Sequence, residues 1–148
     1  MPDDPDNFAT TLLAAMPDGV VYSDAAGLIR FWNQGATRIF GFTTEEALGA
    51  SLDIIIPVSL RERHWQGYRE TMRTGVTRYG EGQLLAVPAL RKDGTRISVE
   101  FTIVPFANAQ GRMIGIASIM RDATARFEEM RSLRKRVAEM EAAQLPKA

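Results

Sequence analysis

The run Ile97-Ser98-Val99-Glu100-Phe101-Thr102-Ile103 constrains this chain more than any other stretch of it. Apolar and polar residues alternate strictly, and successive side chains of a strand point to opposite faces. The spacing therefore predicts a strand with one buried face. Such a strand needs neighbours, and the flanking sequence supplies them. The turn Arg91-Lys92-Asp93-Gly94 precedes it and leads back to an apolar strand from Arg78 to Val87, ending before Pro88. The loop Asn108 to Gly111 follows it and leads to a last strand, Met113 to Met120. Two more strands lie upstream, Val20 to Tyr22 and Leu28 to Trp32, joined by Asp24-Ala25-Ala26-Gly27. Loops of hairpin length make neighbouring strands antiparallel. The residues thus give an α+β chain of five strands whose hairpin-linked neighbours are antiparallel.

Helices fill the remaining segments. Asn7 is placed to cap a first helix with an apolar side of Phe8, Leu12, Leu13 and Met16, which Pro17-Asp18-Gly19 ends. Asn33 caps a stretch containing Ala36, Ile39 and Phe40 that stops at Gly41. Thr43 and Glu46 are spaced as a capping box, so Glu45-Glu46 reads as a helix start rather than as a catalytic pair. Leu52 to Ile56 is a short apolar segment ended by Pro57. A longer helix runs from Ser59 to Arg73, with Leu60, His64, Tyr68 and Met72 on one stripe. Gly19, Gly27, Gly41, Gly49 and Gly94 stand where tight turns call for positive φ.

From Ala123 onward the pattern is one helix. Met130, Leu133, Val137 and Met140 take a and d positions, with Glu129/Arg134 and Arg136/Glu141 at g and e. This stripe either forms the seam of a parallel dimer or packs on the chain's own sheet. A helix of this kind needs tertiary or quaternary support.

Composition narrows the chemistry. At 148 residues the chain suits one domain able to bury a core unaided. Cys 0 removes disulfides, thiolate catalysis, zinc-thiolate sites and cysteinyl flavin photochemistry. A single histidine removes multi-histidine metal sites, but leaves an axial imidazole possible. Lys+Arg and Asp+Glu are both 18, for a formal charge of +0, so bulk attraction to nucleic acid or to an anionic membrane is not expected. No run of about 18 apolar residues suggests a membrane span. Asp3, Asp4 and Asp6 are the wrong polarity for a secretory leader, so a cytoplasmic location is expected. Gly80-Glu81-Gly82 lacks the Lys-Ser/Thr of a P-loop, and no nucleophile or triad surrounds the lone histidine. The chain does not read as an enzyme.

The ordered set Pro17-Asp18-Gly19-Val20, Asp24, Gly27, Ile29, Asn33, Ala36, Phe40-Gly41-Phe42, Glu46 and Leu48-Gly49 resembles the amino-terminal pattern of PAS domains. Arg91-Lys92-Asp93-Gly94 is similar to the turn between two of their central strands. Arg121-Asp122-Ala123-Thr124 resembles their Asp-Ile-Thr exit motif, with Ala for Ile. The resemblance covers about Met16 to Thr124. It divides the chain into an N-terminal cap helix (1–16), a PAS domain (17–122) and a C-terminal amphipathic or coiled-coil signalling helix (123–148). It implies a PAS fold, a five-stranded antiparallel sheet with helices over one face, and a sensory module of signal transduction with a pocket between sheet and long helix. It further implies a homodimer that relays to a downstream signalling protein.

Within the family, Arg63-His64 resembles the pocket helix of haem-binding PAS domains of the FixL type. That likeness implies His64 as the haem-iron ligand and Tyr68, Met72, Gln83, Leu85, Val99, Phe101, Ile103 and Ile116 around the cofactor. Arg69, Arg73 and Arg78 are candidates for the propionates. The chain departs from the motif at Trp65, which replaces Asp, and at Tyr68, which falls one residue late. Gln83 stands near the place of a distal arginine. The alternatives are a haem-free module for dimerisation or metabolite binding, and, more remotely, a non-covalent flavin.

Overall fold

The computed structural model describes residues 5–76 and 84–146. In chain order it contains α1 (Pro5–Ala15), β1 (Gly19–Asp24), β2 (Ile29–Trp32), α2 (Gln34–Phe40), α3 (Thr44–Ala47), a 3₁₀ turn (Leu52–Ile55), α4 (Val58–Thr74), β3 (Leu85–Leu90), β4 (Arg96–Ala107), β5 (Met113–Asp122) and α5 (Thr124–Gln144). The five strands form one antiparallel sheet in the order β2-β1-β5-β4-β3. The first and last strands of the chain thus meet, with Val21 opposite Ser118, and β4 pairs the other side of β5, with Phe101 opposite Met120.

The alternation read at Ile97 to Ile103 places Ile97, Val99, Phe101 and Ile103 on one face, since residues directly opposite share a face. With Val21, Ala89, Ile116 and Met120 they meet Ile39, Phe40, Ile55 and Tyr68 in a single core. Phe40 and Ile29 are fully buried.

Local signals formed as their chemistry requires. Asn33 Oδ1 accepts from Ala36 N at 2.9 Å and starts α2, and Gly41 closes it at φ 85°. Thr43 and Glu46 complete a capping box at α3. In the β1–β2 turn, Asp24 Oδ1 accepts from Ala26 N and Leu28 N, both at 3.0 Å.

Several expectations need correction. The helix α1 begins at Pro5, so Asn7 lies inside it, where it accepts from Thr11 Oγ1, and does not cap it. Proline suits a first helical position because its missing N–H has no partner there in any case. Phe8, Leu12 and Leu13 stay exposed. β3 does not stop before Pro88: it runs on to Leu90, with Pro88 opposite Ser98. β3 is an edge strand, where a residue without N–H need not break a ladder. The expected portion from Arg78 to Gln83 lies outside the described residues. Gly19 is not a positive-φ glycine, unlike Gly27, Gly41, Gly49 and Gly94. It is small because a Cβ there would lie 3.2 Å from Ala36 Cα. Finally, α5 does not lay its stripe on its own sheet: Met130, Leu133, Val137 and Met140 are all exposed, Met140 to 63%.

Candidate functional site

The site is built on α4. This helix follows Pro57 and ends at Gly75, whose φ of 72° lets its N–H reach Thr71 O. Positions 64, 68 and 72 fall on one face because 3.6 residues make a turn. Tyr68 is buried and Met72 half-buried against the core, while His64 is half-buried beside them. The His64 ring lies 5.7 Å from that of Tyr68 and 4.7 Å, edge-on, from that of Trp65.

Two contacts pin this helix, one to strand β1 and one to the 3₁₀ turn. The Tyr68 hydroxyl donates to Asp24 O at 2.5 Å, and so must accept from Ser23 Oγ at 2.9 Å. Trp65 donates from Nε1 to Asp53 Oδ1 at 2.7 Å. Its ring rests on the β1–β2 turn, where a Cβ on Gly27 would fall 2.2 Å from it. Burial pushes the Tyr68 pKa up, so the hydroxyl keeps its proton. Tyr68→Phe removes the link and leaves the buried Ser23 hydroxyl and the Asp24 carbonyl without it. A loss of about 1–2 kcal/mol in urea unfolding is expected. No loss at all would mean that water satisfies those groups equally well.

His64 differs from its neighbours. Its Nδ1 is buried and has no hydrogen-bond partner among the described residues. Burial lowers its pKa below the usual histidine range, against the pull of nearby Asp53, so the ring is neutral near pH 7. A neutral imidazole with an unused ring nitrogen is the chemical form that binds a metal.

The other residues singled out in the sequence divide. Val99 and Ile116 are buried core members, and Phe101 and Ile103 pack against that core half-buried. Leu85 opposes Phe101 from the edge strand and is also half-buried. The apolar inner face is thus covered most fully at Ile97 and Val99, half-covered at Leu85, Phe101 and Ile103, and open at Val87, which opposes Val99. Gln83 and Arg78 lie outside the described residues. Arg73 is not aimed at the core: it pairs with Glu70 at 2.6 Å on the exposed side of α4. Arg69 is exposed. Ser23, Asp53 and Gly27 had no expected role at this site. The only sequence signal for Ser23 was its place two residues after Val21 on one strand face. Among the described residues no group of three or more His, Asp or Glu could hold a metal ion.

Haem is the cofactor that the resemblance implies. One buried, neutral imidazole with an orphaned nitrogen fits an axial ligand, and the half-covered apolar face fits a flat hydrophobic group. On these two counts the residues fit.

A five-stranded sheet in this order, with helices over one face and an exit helix behind an Asp-x-Thr turn, is the architecture of a sensory domain. The model of the PAS fold family matches residues 13–128, and the chain belongs to that family. PAS domains are sensory modules of signal-transduction proteins. Among curated relatives the chain is 34% identical over 119 residues to an uncharacterised protein of Azorhizobium caulinodans, covering 80% of this chain and 16% of that one. It is 27% identical to the oxygen sensor protein DosP of Escherichia coli, over 79% of this chain and 14% of the relative. It is 30% identical to the sensor protein FixL of Bradyrhizobium diazoefficiens, over 63% of this chain and 18% of the relative. The chain thus spans less than a fifth of each of these proteins. Among solved structures, a PAS domain from Colwellia psychrerythraea superposes with a TM-score of 0.71 at 22% identity, covering 82% of this chain and 99% of that one. The PAS domain of BvgS from Bordetella pertussis does so at 0.61 and 18%, covering 93% and 99%. These last two speak to the fold alone. Among the described residues no helix is long and apolar enough to cross a membrane.

Proposed function

We propose that this PAS module senses through haem held in its core by His64. The observation that carries the reading is the buried Nδ1, unpartnered among the described residues, of a neutral imidazole on the core-facing side of α4. The similarity to an oxygen sensor protein and to FixL supports it. When bound, haem would supply an iron centre able to take a diatomic gas or change oxidation state. The chain's own residues would do the rest. His64 would hold the iron; Leu85, Val99, Phe101, Ile103 and Ile116 would exclude water; and Tyr68 and Met72 would set the position of α4. Movement of α4 against Ser23 and Asp24 would reach the central strands, then the Asp122–Thr124 turn, and then α5. The output would pass through α5 in a homodimer to a downstream signalling protein.

Reconstitution with hemin tests the assignment. The wild-type protein is expected to give a Soret band that His64→Ala abolishes. An unchanged spectrum in the variant would remove His64 from the reading.

A second reading has its own support. The Tyr68 hydroxyl is already bonded twice, and Trp65 packs edge-on against both His64 and Tyr68, which favours a haem-free module that dimerises or takes a small metabolite. Native mass spectrometry of protein as purified separates the two, because haem, a smaller ligand and no ligand give different added masses.

A further inference from the structure

The outer face of β4 and the start of α5 enclose a cleft of about 430 Å³, a size that takes a small ligand or a few side chains. Glu100 lies at its base, and Phe127, Met130, Arg131 and Arg134 line the helix side. The angle between strand and helix is fixed by bonds. Ala123 donates its N–H to Ser98 O at 2.8 Å, and Ser98 N donates to Thr124 Oγ1 at 3.0 Å. Arg126 pairs with Glu100, whose side chain is only 13% exposed. Phe127, Arg131 and Arg134 recur at intervals of four and three, so they share one side of α5. Arg136 falls on the opposite side.

The charge of this cleft is unbalanced. Glu100 cancels Arg126, while among the described residues Arg131 and Arg134 form no ion pair, which leaves two positive charges at the rim. The chain as a whole has a formal charge of +0, yet Arg131, Arg134, Lys135 and Arg136 fall within six residues. Beside the charges are apolar groups: the half-buried Phe127 ring and the exposed Met130.

We propose that this cleft takes an acidic, partly apolar peptide segment of the downstream signalling protein. An apolar side chain seats against Phe127 and Met130, and carboxylates pair with Arg131 and Arg134. Charge and shape select that occupant. A lipid surface is too flat to enter a cleft between strand and helix. A nucleic-acid strand needs cations along its backbone and open aromatic faces for its bases, whereas here a carboxylate lies at the base and the one ring is half covered. The opposite face of β4 carries Val99 and Phe101, which belong to the candidate ligand core. The occupant therefore binds to the relation between that strand and α5, and a change in the core that tilts α5 alters its affinity. The proposal rests on the reading above for the existence of a downstream partner, and not on haem.

Fluorescence anisotropy of the full chain, without added hemin, tests it. The probe is a short fluorescein-labelled peptide of alternating Glu and Leu, with the matching Gln–Leu peptide as control. The acidic peptide is expected to bind and the control to bind at least tenfold more weakly. Arg131→Glu with Arg134→Glu is expected to weaken binding roughly tenfold or more, and Phe127→Ala by a similar factor. Arg136→Glu, an equal change of charge per residue on the far side of the helix, is expected to have little effect. Glu100→Gln removes the one carboxylate from the cleft and is expected to tighten binding about threefold. The Glu100 variant carries the most weight, since only an occupant of the cleft itself gains from it. No binding up to about 1 mM peptide, an equal loss in Arg136→Glu, or no gain in Glu100→Gln would overturn the proposal. So would binding of a single-stranded oligonucleotide or of phosphatidylserine vesicles in place of the peptide. A failed Soret band leaves this result untouched, and failure here leaves the role of His64 untouched.

Discussion

Asn33→Ala is expected to cost about 4 kcal/mol, most of it from backbone groups that lose their bond to the amide. The residue is 3% exposed, and all four hydrogen-bonding capacities of its amide are used. Oδ1 accepts from Val20 N at 2.8 Å and from Ala36 N at 2.9 Å. Nδ2 donates to Leu13 O at 2.8 Å and to Asp18 O at 3.0 Å. One side chain thus caps α2, opens β1 and closes α1. Alanine leaves two N–H groups and two carbonyls without it, and each buried group costs about 1–3 kcal/mol where water cannot reach. Leu13 and the turn at Asp18 are near the surface, which keeps the total from the upper bound. For a chain of this size the loss corresponds to a fall in Tm of roughly 8–16 °C. Thermal and urea unfolding would check it. A fall below about 2 °C would mean that Asn33 caps α2 and does nothing more.

How much of this was legible follows from how local each interaction is. The role of Asn33 as a helix cap was readable because the bond to Ala36 spans three residues. The bonds to Val20, Leu13 and Asp18 span thirteen to twenty, and nothing beside Asn33 marks them. The capping box at Thr43 and Glu46 and the alternation from Ile97 to Ile103 are equally local, and both formed. Pro88 misled because proline breaks an interior strand but not an edge, and strand order is a tertiary fact. Gly19 misled because a small residue at a turn and a small residue under Ala36 look the same in a sequence. At the site, the stripe of His64, Tyr68 and Met72 was visible in the helical period. The bonds from Tyr68 to Ser23 and Asp24 were not, being 45 and 44 residues distant. The free stripe of α5 was visible as a heptad pattern, but its burial could not be judged until the helix was seen leaving the sheet.

Gly35→Ala is expected to destabilise the chain by about 3 kcal/mol, although alanine is the better helix former. In a solvent-exposed helix the exchange would gain about 1 kcal/mol. Here a Cβ would lie 2.0 Å from Asp18 O, 2.4 Å from Asp18 C and 2.7 Å from Pro17 O. These are backbone atoms, so no rotamer change relieves the overlap, and α2 must move away from the turn before β1. The clash therefore decides the sign. The atom displaced is the same Asp18 carbonyl that accepts from Asn33 Nδ2, while the Asp18 side chain holds Arg121 at 3.0 and 3.1 Å, just before the exit turn. Gly35→Ala and Asn33→Ala should consequently not add: once the bond to Asp18 O is gone, the second substitution has less left to break. Urea unfolding of both single variants and the double variant measures this. A stabilised Gly35→Ala protein would show that α2 tolerates movement away from the Pro17–Gly19 turn. Strictly additive losses would show that Asp18 is not the point where cap, turn and exit strand are joined.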